Sequence, residues 1–209
     1  KQYIIDANFL KQFIRSGDTI LDVGCSSGKF ISIISTLNDD LKCFGIDVDE
    51  SGIQEANKLY KNNANFDKQT LASLEALDKF NLVTFRGTLQ YLGEELHESI
   101  ATLKKILKNN GKVVIFSLPS TDSFMYDLLS DKWGLFHPEM SLMFNEKSIK
   151  FLANKNNLKI ETIRYPYLSD IYANPKKDYE NIRKIINGES DTSNPFWGSL
   201  MTVVLSNNN

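Results

Sequence analysis

The loop Gly24-Cys25-Ser26-Ser27-Gly28 stands between an apolar run, Thr19 to Val23, and a segment in which Phe30, Ile33, Ile34 and Leu37 recur at helical spacing. The hydrophobic period therefore changes from strand to helix across the loop. Backbone N–H groups at a helix start have no intrahelical partner and attract a carboxylate or phosphate, and glycine removes the Cβ that would keep such a ligand away. Carboxylates flank the loop: Asp22 lies inside the first run and Asp47 ends a second one, Lys42-Cys43-Phe44-Gly45-Ile46-Asp47. Gly24 to Gly28 also spells G-x-S-x-G, which would make Ser26 the nucleophile of a serine hydrolase. That elbow needs oxyanion-hole donors from an earlier strand, and the residues ahead of Gly24 read mostly as helix. The dinucleotide fingerprint G-x-G-x-x-G fails at its second and third glycines, where Ser26 and Lys29 stand. His97 and His137 supply the near-neutral titrating groups; His97 falls on a polar helix, His137 in the aromatic loop Trp133-Gly134-Leu135-Phe136-His137-Pro138. Cys25 and Cys43 form no C-x-x-C pair, so they read as reduced, packed thiols, with a lowered pKa at the helix start the alternative for Cys25.

Asp22, Gly24, Ser26 and Gly28 together resemble motif I of class I S-adenosylmethionine-dependent methyltransferases, an acidic residue followed by Gly-x-Gly-x-Gly, with Ser26 in the middle glycine's place. The strand ending at Asp47 follows about twenty residues later, where a fold of this type puts a ribose-binding carboxylate. The competing role for Asp47 is the N-cap of a helix from Glu50. Phe80-Asn81-Leu82-Val83 is similar to the family's F-D-x-V strand, with Asn81 replacing the acid. Leu89-Gln90-Tyr91-Leu92 is similar to L-x-H-L, with Tyr91 replacing the histidine, and Lys108-Asn109-Asn110-Gly111-Lys112 looks like the L-K-P-G-G turn.

The resemblance implies an α/β, Rossmann-like, seven-stranded mixed sheet in the order 3-2-1-4-5-7-6, the seventh strand antiparallel, with helices on both faces. It also implies S-adenosyl-L-methionine as cofactor, held by Asp22, Gly24, Cys25, Ser26, Gly28, Asp47, Val48, Leu71 and Arg86. Methyl transfer from a sulfonium is an in-line displacement, which asks for alignment and a dry site rather than a nucleophilic residue. A hydroxyl acceptor would gain from a general base, for which His137 is the first candidate and Tyr91 the second, with Trp133 and Tyr172 as acceptor contacts. The stretch holding Tyr167, Asp178 and Pro195-Phe196-Trp197-Gly198 resembles methyltransferases of sugars and cell-surface glycan pathways. A small polar acceptor follows, a sugar, nucleotide-sugar or other glycan precursor, methylated on O or N. A non-catalytic S-adenosylmethionine-binding protein is the remaining alternative.

The elements that must position these residues alternate along the chain. Tyr3, Ile4, Ala7, Phe9, Leu10, Phe13 and Ile14 predict a covering helix that Ser16-Gly17-Asp18 stops. The loop and its helix follow, then the Asp47 strand, a helix from Glu50 to Tyr60, a short strand at Phe66-Asp67, a short helix through Leu71, Leu74 and Leu77, the strand Phe80 to Gly87, and a helix from Glu94 to Leu107. Val113 to Ser117 is the next strand; Asp122 to Ser130 reads as helix, Asn145 as the cap of a helix through Leu152, Leu158 to Tyr165 as a strand, and Phe196 to Ser206 as the last strand. Such alternation argues for parallel β-α-β units with ligands beyond the carboxyl ends of the strands.

With 209 residues and 42% hydrophobic content, the chain is expected to form a single domain, 1–209, with cap insertions at about 119–144 and 166–195. The net charge of −2 offers no general attraction to phosphate backbones or anionic lipid, so neither nucleic acid nor membrane is expected as a partner. Apolar runs are too short to span a bilayer, no secretion signal opens the chain, and the cysteine usage fits a cytoplasmic protein. His137-Pro138-Glu139 is too small a cluster for a metal, so none is expected. The expected assembly is a monomer or homodimer.

Overall fold

Period-two alternation sorts the central strands onto two cores. Leu21 and Val23 of β1 (Thr19–Val23), Val83 and Phe85 of β4 (Phe80–Arg86), and Val113 and Ile115 of β5 (Leu107–Pro119) face one side of the sheet. There they meet Ile100, Leu103 and Ile106 of α4 (Leu96–Ile106) and Ile149 and Leu152 of α6 (Glu146–Lys155). Their neighbours Ile20, Leu82, Val114 and Phe116 face the other side, against Leu10 of α1 (Gln2–Leu10), Phe30, Ile31 and Ile34 of α2 (Lys29–Ser35), and Ile53 and Ala56 of α3 (Glu50–Tyr60). β1 is buried along its whole length, on both faces, although it carries Thr19 and Asp22.

The computed structural model describes residues 1–75, 79–130, 133–171, 173–189 and 198–207. Among them the seven strands form one sheet in the order β3-β2-β1-β4-β5-β7-β6. β2 (Lys42–Asp47), β3 (Asn65–Lys68), β1, β4 and β5 run parallel, and β7 (Leu200–Asn207) runs antiparallel to both β5 and β6 (Leu158–Arg164). The expected Rossmann-like order is the observed one. No helix among the described residues is long and apolar enough to cross a membrane.

Several boundaries differ from those the sequence predicts. α1 ends at Leu10 and Lys11–Phe13 form a turn, although Phe9 and Phe13 still stack edge-to-face at 5.5 Å. Residues 71–75 are not helical, and Leu77 lies outside the described residues. The expected turn at Lys108–Lys112 is absorbed into β5 as an irregularity between the pairs Phe80↔Leu107 and Leu82↔Lys112, with Asn110 at φ 61°. α7 (Pro175–Ile186) has no counterpart in the sequence reading, yet its signals are present: Asn174 accepts the Lys177 N–H as N-cap, and Pro175 occupies the first turn. Asn145 does cap α6, in a reciprocal box with Ser148.

The two long connections pack on each other. Met125 and Leu129 of α5 (Phe124–Leu129), Trp133, and Ile182 of α7 form a small core separate from the two that flank the sheet. Tyr167 donates a hydrogen bond to the buried carboxylate of Asp178, tying the entry of this cap to α7.

Asn81 shows how a departure from the family pattern is absorbed. Its Oδ1 accepts from the Thr19 N–H at 2.9 Å and from Lys108 Nζ at 2.9 Å, stitching the amino ends of β1, β4 and β5. Asn81→Ala should cost about 1–3 kcal/mol by orphaning the Thr19 amide, whereas Asn81→Asp keeps both acceptor contacts and should lose little. Paired thermal and urea denaturation of the two variants checks this.

Candidate active site

Chain connections leave β1 toward β2 on one side and reach β4 on the other, so a crevice opens at the carboxyl ends of β1, β2 and β4. A cleft of about 540 Å³ fills it. Gly24, Ser26, Asp47, Val48, Leu71 and Arg86, all proposed from sequence as ligand contacts, line this one cleft, joined by Tyr91. Gln69, Thr70, Gly87, Thr88 and Glu95 add polar and backbone surface to its wall, and Val23, Ile46 and Leu92 add apolar surface.

The β1–α2 loop is not a bare cradle of amides. Gly24 N and Cys25 N donate to the Ile46 carbonyl at 2.8 and 3.1 Å, and Gly28 N donates to Cys25 O at 2.9 Å. Ser26 N donates to Asp47 Oδ2 at 2.7 Å. The glycines make room for protein rather than ligand: a Cβ on Gly24 would meet the Thr88 side chain at 2.3 Å, and one on Gly28 would meet Phe66 at 2.6 Å. Both have φ near +74°, and Gly28 is the N-cap of α2. Gly28 does not line the cleft; its part is to let α2 sit close to β3. Ser26 takes the middle glycine's place at φ 48°, a left-handed conformation that costs a side-chain-bearing residue roughly 1 kcal/mol.

Asp47 does not cap α3. Asp49 does, accepting from Ser51 N and Gly52 N, and Asp47 Oδ1 accepts the Asp49 N–H at 2.9 Å. Each Asp47 oxygen thus holds one backbone amide and keeps a lone pair for a further donor. Asp22 sits behind the loop rather than in the cleft. It is 2% exposed and accepts from Thr84 Oγ1 at 2.7 Å. Burial pushes its carboxyl up to about 7 against the opposing pull of the Thr84 bond and Arg86.

Cys25 also departs from expectation. Its thiol turns into the core, where the would-be Cβ of Gly45 would lie 2.8 Å from Sγ, and burial drives its pKa upward rather than down. Cys43, likewise buried and free, is pushed up to about 12. Neither thiol has the character of a nucleophile. Ser26 lines the cleft without either histidine beside it, so the hydrolase reading lacks a general base.

Arg86 is the best-anchored charge at the site. Nε bonds to Asp6 Oδ2 at 2.9 Å, and the guanidinium lies 4.2 Å from the Tyr3 ring centre. Asp6 Oδ1 in turn accepts from Gln2 Nε2 at 2.9 Å, and Gln2 Oε1 accepts the Ile171 N–H at 3.2 Å. α1, β4 and the cap are therefore linked by consecutive hydrogen bonds ending at the cleft.

A second cavity of about 260 Å³ adjoins the first, sharing Arg86 and Tyr91 as its partition. His137 stands on its wall, exposed to solvent, with Gln90, Leu135, Met140 and Leu200. Trp133 is not an acceptor contact: its indole is 2% exposed and packs edge-to-face on Tyr126 in the cap core, 5.4 Å between ring centres. Tyr172 lies outside the described residues. His97 is exposed on α4 and lines neither cavity. Among the described residues no cluster of His, Cys, Asp or Glu could hold a metal ion. Thr88, Gly87 and Gln90 were not legible as site residues, because their place depends on which turn follows β4 and what it packs against.

A ligand crevice at the switch point of a doubly wound sheet marks the Rossmann-like α/β class. Within that class the chain belongs to the methyltransferase domain family, whose model matches residues 2–163. It is 28% identical over 177 residues to protein 235L of Invertebrate iridescent virus 6, named as a methyltransferase, covering 79% of this chain and 66% of that one. It is 33% identical over 108 residues to the ribosomal protein L11 methyltransferase of Aquifex aeolicus, covering 52% of this chain and 41% of that one. The chain thus spans less than two thirds of the length of these curated relatives. Among solved structures, magnesium protoporphyrin IX methyltransferase from Synechocystis PCC 6803, with bound SAH, shares the fold at a TM-score of 0.67 and 18% identity, over 99% of this chain and 83% of that one.

The raised Asp22 pKa has a definite consequence for stability. Between about pH 4 and pH 7 the folded state keeps a proton that the unfolded chain releases, so this group's contribution falls as pH rises through that window. Asp22→Asn keeps an acceptor for Thr84 and abolishes the titration. Relative to wild type it should gain on the order of 2 kcal/mol between pH 5 and pH 7.5, read as the change in urea unfolding free energy; parallel pH dependences for the two proteins would contradict the assignment.

Proposed function

We propose that the protein transfers a methyl group from S-adenosyl-L-methionine to a small polar acceptor, a sugar, nucleotide-sugar or other glycan precursor. The observation that carries this reading is the pair of adjoining cavities, one of about 540 Å³ at the switch point and one of about 260 Å³ beyond Arg86 and Tyr91. The larger suits an adenosyl amino acid. Asp47 has a free lone pair on each oxygen for the two ribose hydroxyls, and the exposed Val48 faces the cleft with Leu71, offering apolar surface to an adenine ring. Gly24, packed against Thr88, brings the β1 and β4 loops together as the floor.

When bound, the cofactor supplies an electrophilic methyl on a sulfonium, so no covalent intermediate on the protein is needed. The chain's own part is to orient the acceptor and keep water out. Arg86, fixed by Asp6 and Tyr3, and Tyr91 stand where the two ligands would meet. His137, on the smaller cavity's wall, is the candidate to receive the acceptor's proton, with Tyr91 second. Solvent access lets the imidazole pass that proton to bulk water. Two free buried thiols suit a reducing compartment such as the cytoplasm.

Asp47→Ala should weaken S-adenosylhomocysteine binding by on the order of 2 to 4 kcal/mol, the loss from truncating a charged hydrogen-bonding group, as isothermal titration calorimetry would read. His137→Gln should leave that affinity unchanged while lowering methyl transfer from labelled S-adenosylmethionine into sugar and nucleotide-sugar pools by about a hundred-fold or more. Full transfer by His137→Gln would remove the base assignment, and no transfer into any sugar pool by the wild type would remove the acceptor class.

A further inference from the structure

β5 gains an extra residue where it reaches the smaller cavity. Between the pairs Ile115↔Val203 and Leu118↔Met201, it places Phe116 and Ser117 opposite Thr202 alone. The facing pattern slips by one position there: Val113, Ile115 and then Leu118 join the core beside α4 and α6, while Val114 and Phe116 join the other. A bulge of this kind bends its strand and re-aims a side chain, and bulges concentrate beside active sites. Ser117 is half-buried between the buried Phe116 and Leu118, and it lines the smaller cavity.

Ser117 has φ 54°, in the left-handed region where a Cβ crowds the following carbonyl. Asn110 and Asn157, also left-handed, are of the type that tolerates this region, and glycine would adopt it without the crowding. Strain of this sort persists where the surroundings over-determine it, and it clusters at functional sites. The hydroxyl carried by the strained residue has no hydrogen-bond partner among the described residues, and its oxygen is not sealed in by protein.

The bulge lies next to the partition between the cavities. Phe116 pairs with Arg86, and its carbonyl accepts the Gly87 N–H at 3.1 Å, so Ser117 directly follows the residue that touches that turn. Other polar groups on the wall differ in kind. Gln2 has both ends of its amide engaged, by Asp6 and by the Ile171 N–H, and Arg86 holds Asp6. His137 and Asp170 bring an imidazole and a carboxylate, groups suited to taking a proton. A serine hydroxyl is neutral and both donates and accepts, which matches a hydroxyl on the acceptor.

Resting on the methyl-transfer reading above, we propose that Ser117 is an acceptor-binding residue: the bulge turns its Oγ into the smaller cavity, where it shares a hydrogen bond with a hydroxyl of the acceptor and fixes that molecule's orientation. Ser117 does not line the larger cleft, so cofactor affinity does not depend on it. A glycine at this position relieves the backbone and removes the hydroxyl, whereas an alanine removes the hydroxyl and keeps the crowding.

Ser117→Gly and Ser117→Ala are compared with the wild-type full chain in three measurements. Urea denaturation is expected to place the midpoint of Ser117→Gly above that of Ser117→Ala. Isothermal titration calorimetry is expected to give all three proteins the same S-adenosylhomocysteine affinity. Methyl transfer from labelled S-adenosylmethionine into a low-molecular-weight metabolite extract, at limiting extract, is expected to fall about ten-fold in both variants. Wild-type transfer by Ser117→Gly would make the bulge structural only and overturn the assignment. So would a midpoint of Ser117→Gly below that of Ser117→Ala, or a loss of transfer matched by a loss of S-adenosylhomocysteine affinity. A wild type that binds no S-adenosylhomocysteine, or labels no compound in the extract, is a separate result: it overturns the methyl-transfer reading, and the Ser117 assignment falls with it.

Discussion

The Asp47 carboxylate holds the two halves of the crevice in register. By taking the Ser26 amide at 2.7 Å and the Asp49 amide at 2.9 Å, it locks the end of β2 to the loop after β1. Ile46 reinforces this from the backbone, its carbonyl accepting from both Gly24 and Cys25. A loop whose amides are satisfied by the neighbouring strand keeps its shape before any ligand arrives, which lowers the ordering cost of binding. The left-handed Ser26 is tolerated because those bonds over-determine the backbone around it.

Packing behind the loop serves the same constraint. Gly28 lets Phe66 of β3 and Ala56 of α3 approach α2, and Gly45 leaves room for the Cys25 thiol and the Phe66 ring. Gly24 does likewise for Thr88 on the far side, so the floor of the cleft is made by close approach of three strand ends rather than by empty space at the glycines. Above that floor the Ile171–Gln2–Asp6–Arg86 sequence of hydrogen bonds carries the cap's position to the partition between the cavities. At that partition the guanidinium is held by both the Asp6 carboxylate and the Tyr3 ring.

The individual strands and the loop after β1 were legible as local pattern, whereas the sheet order came only from the family resemblance. The strand-like runs at Thr19–Val23 and Phe80–Arg86 name their strands, and Asp47 at the end of β2 does line the crevice. What misled was direction within a motif. Cys25 sits between two loop residues, yet its side chain turns inward, and Asp22 belongs to motif I but is buried at 2% exposure. Trp133 was drawn to the acceptor by its type, whereas the cap needed a large apolar core residue and took it. Gln90 and Thr88 gave no signal at all, since one is placed by the turn after β4 and the other by a contact with a residue sixty-four positions away, Gly24. α7 was missed although Asn174-Pro175 is a good helix start, because the polar face of the segment outweighs its few buried residues.

A crystal structure of the protein grown with S-adenosylhomocysteine tests the central claim most directly. The nucleoside is expected in the cleft at the carboxyl ends of β1, β2 and β4, its ribose hydroxyls on Asp47 and its base between Val48 and Leu71, with the homocysteine sulfur directed toward Arg86 and Tyr91. A ligand bound elsewhere, or a ribose that reaches the cleft without touching Asp47, would contradict the account.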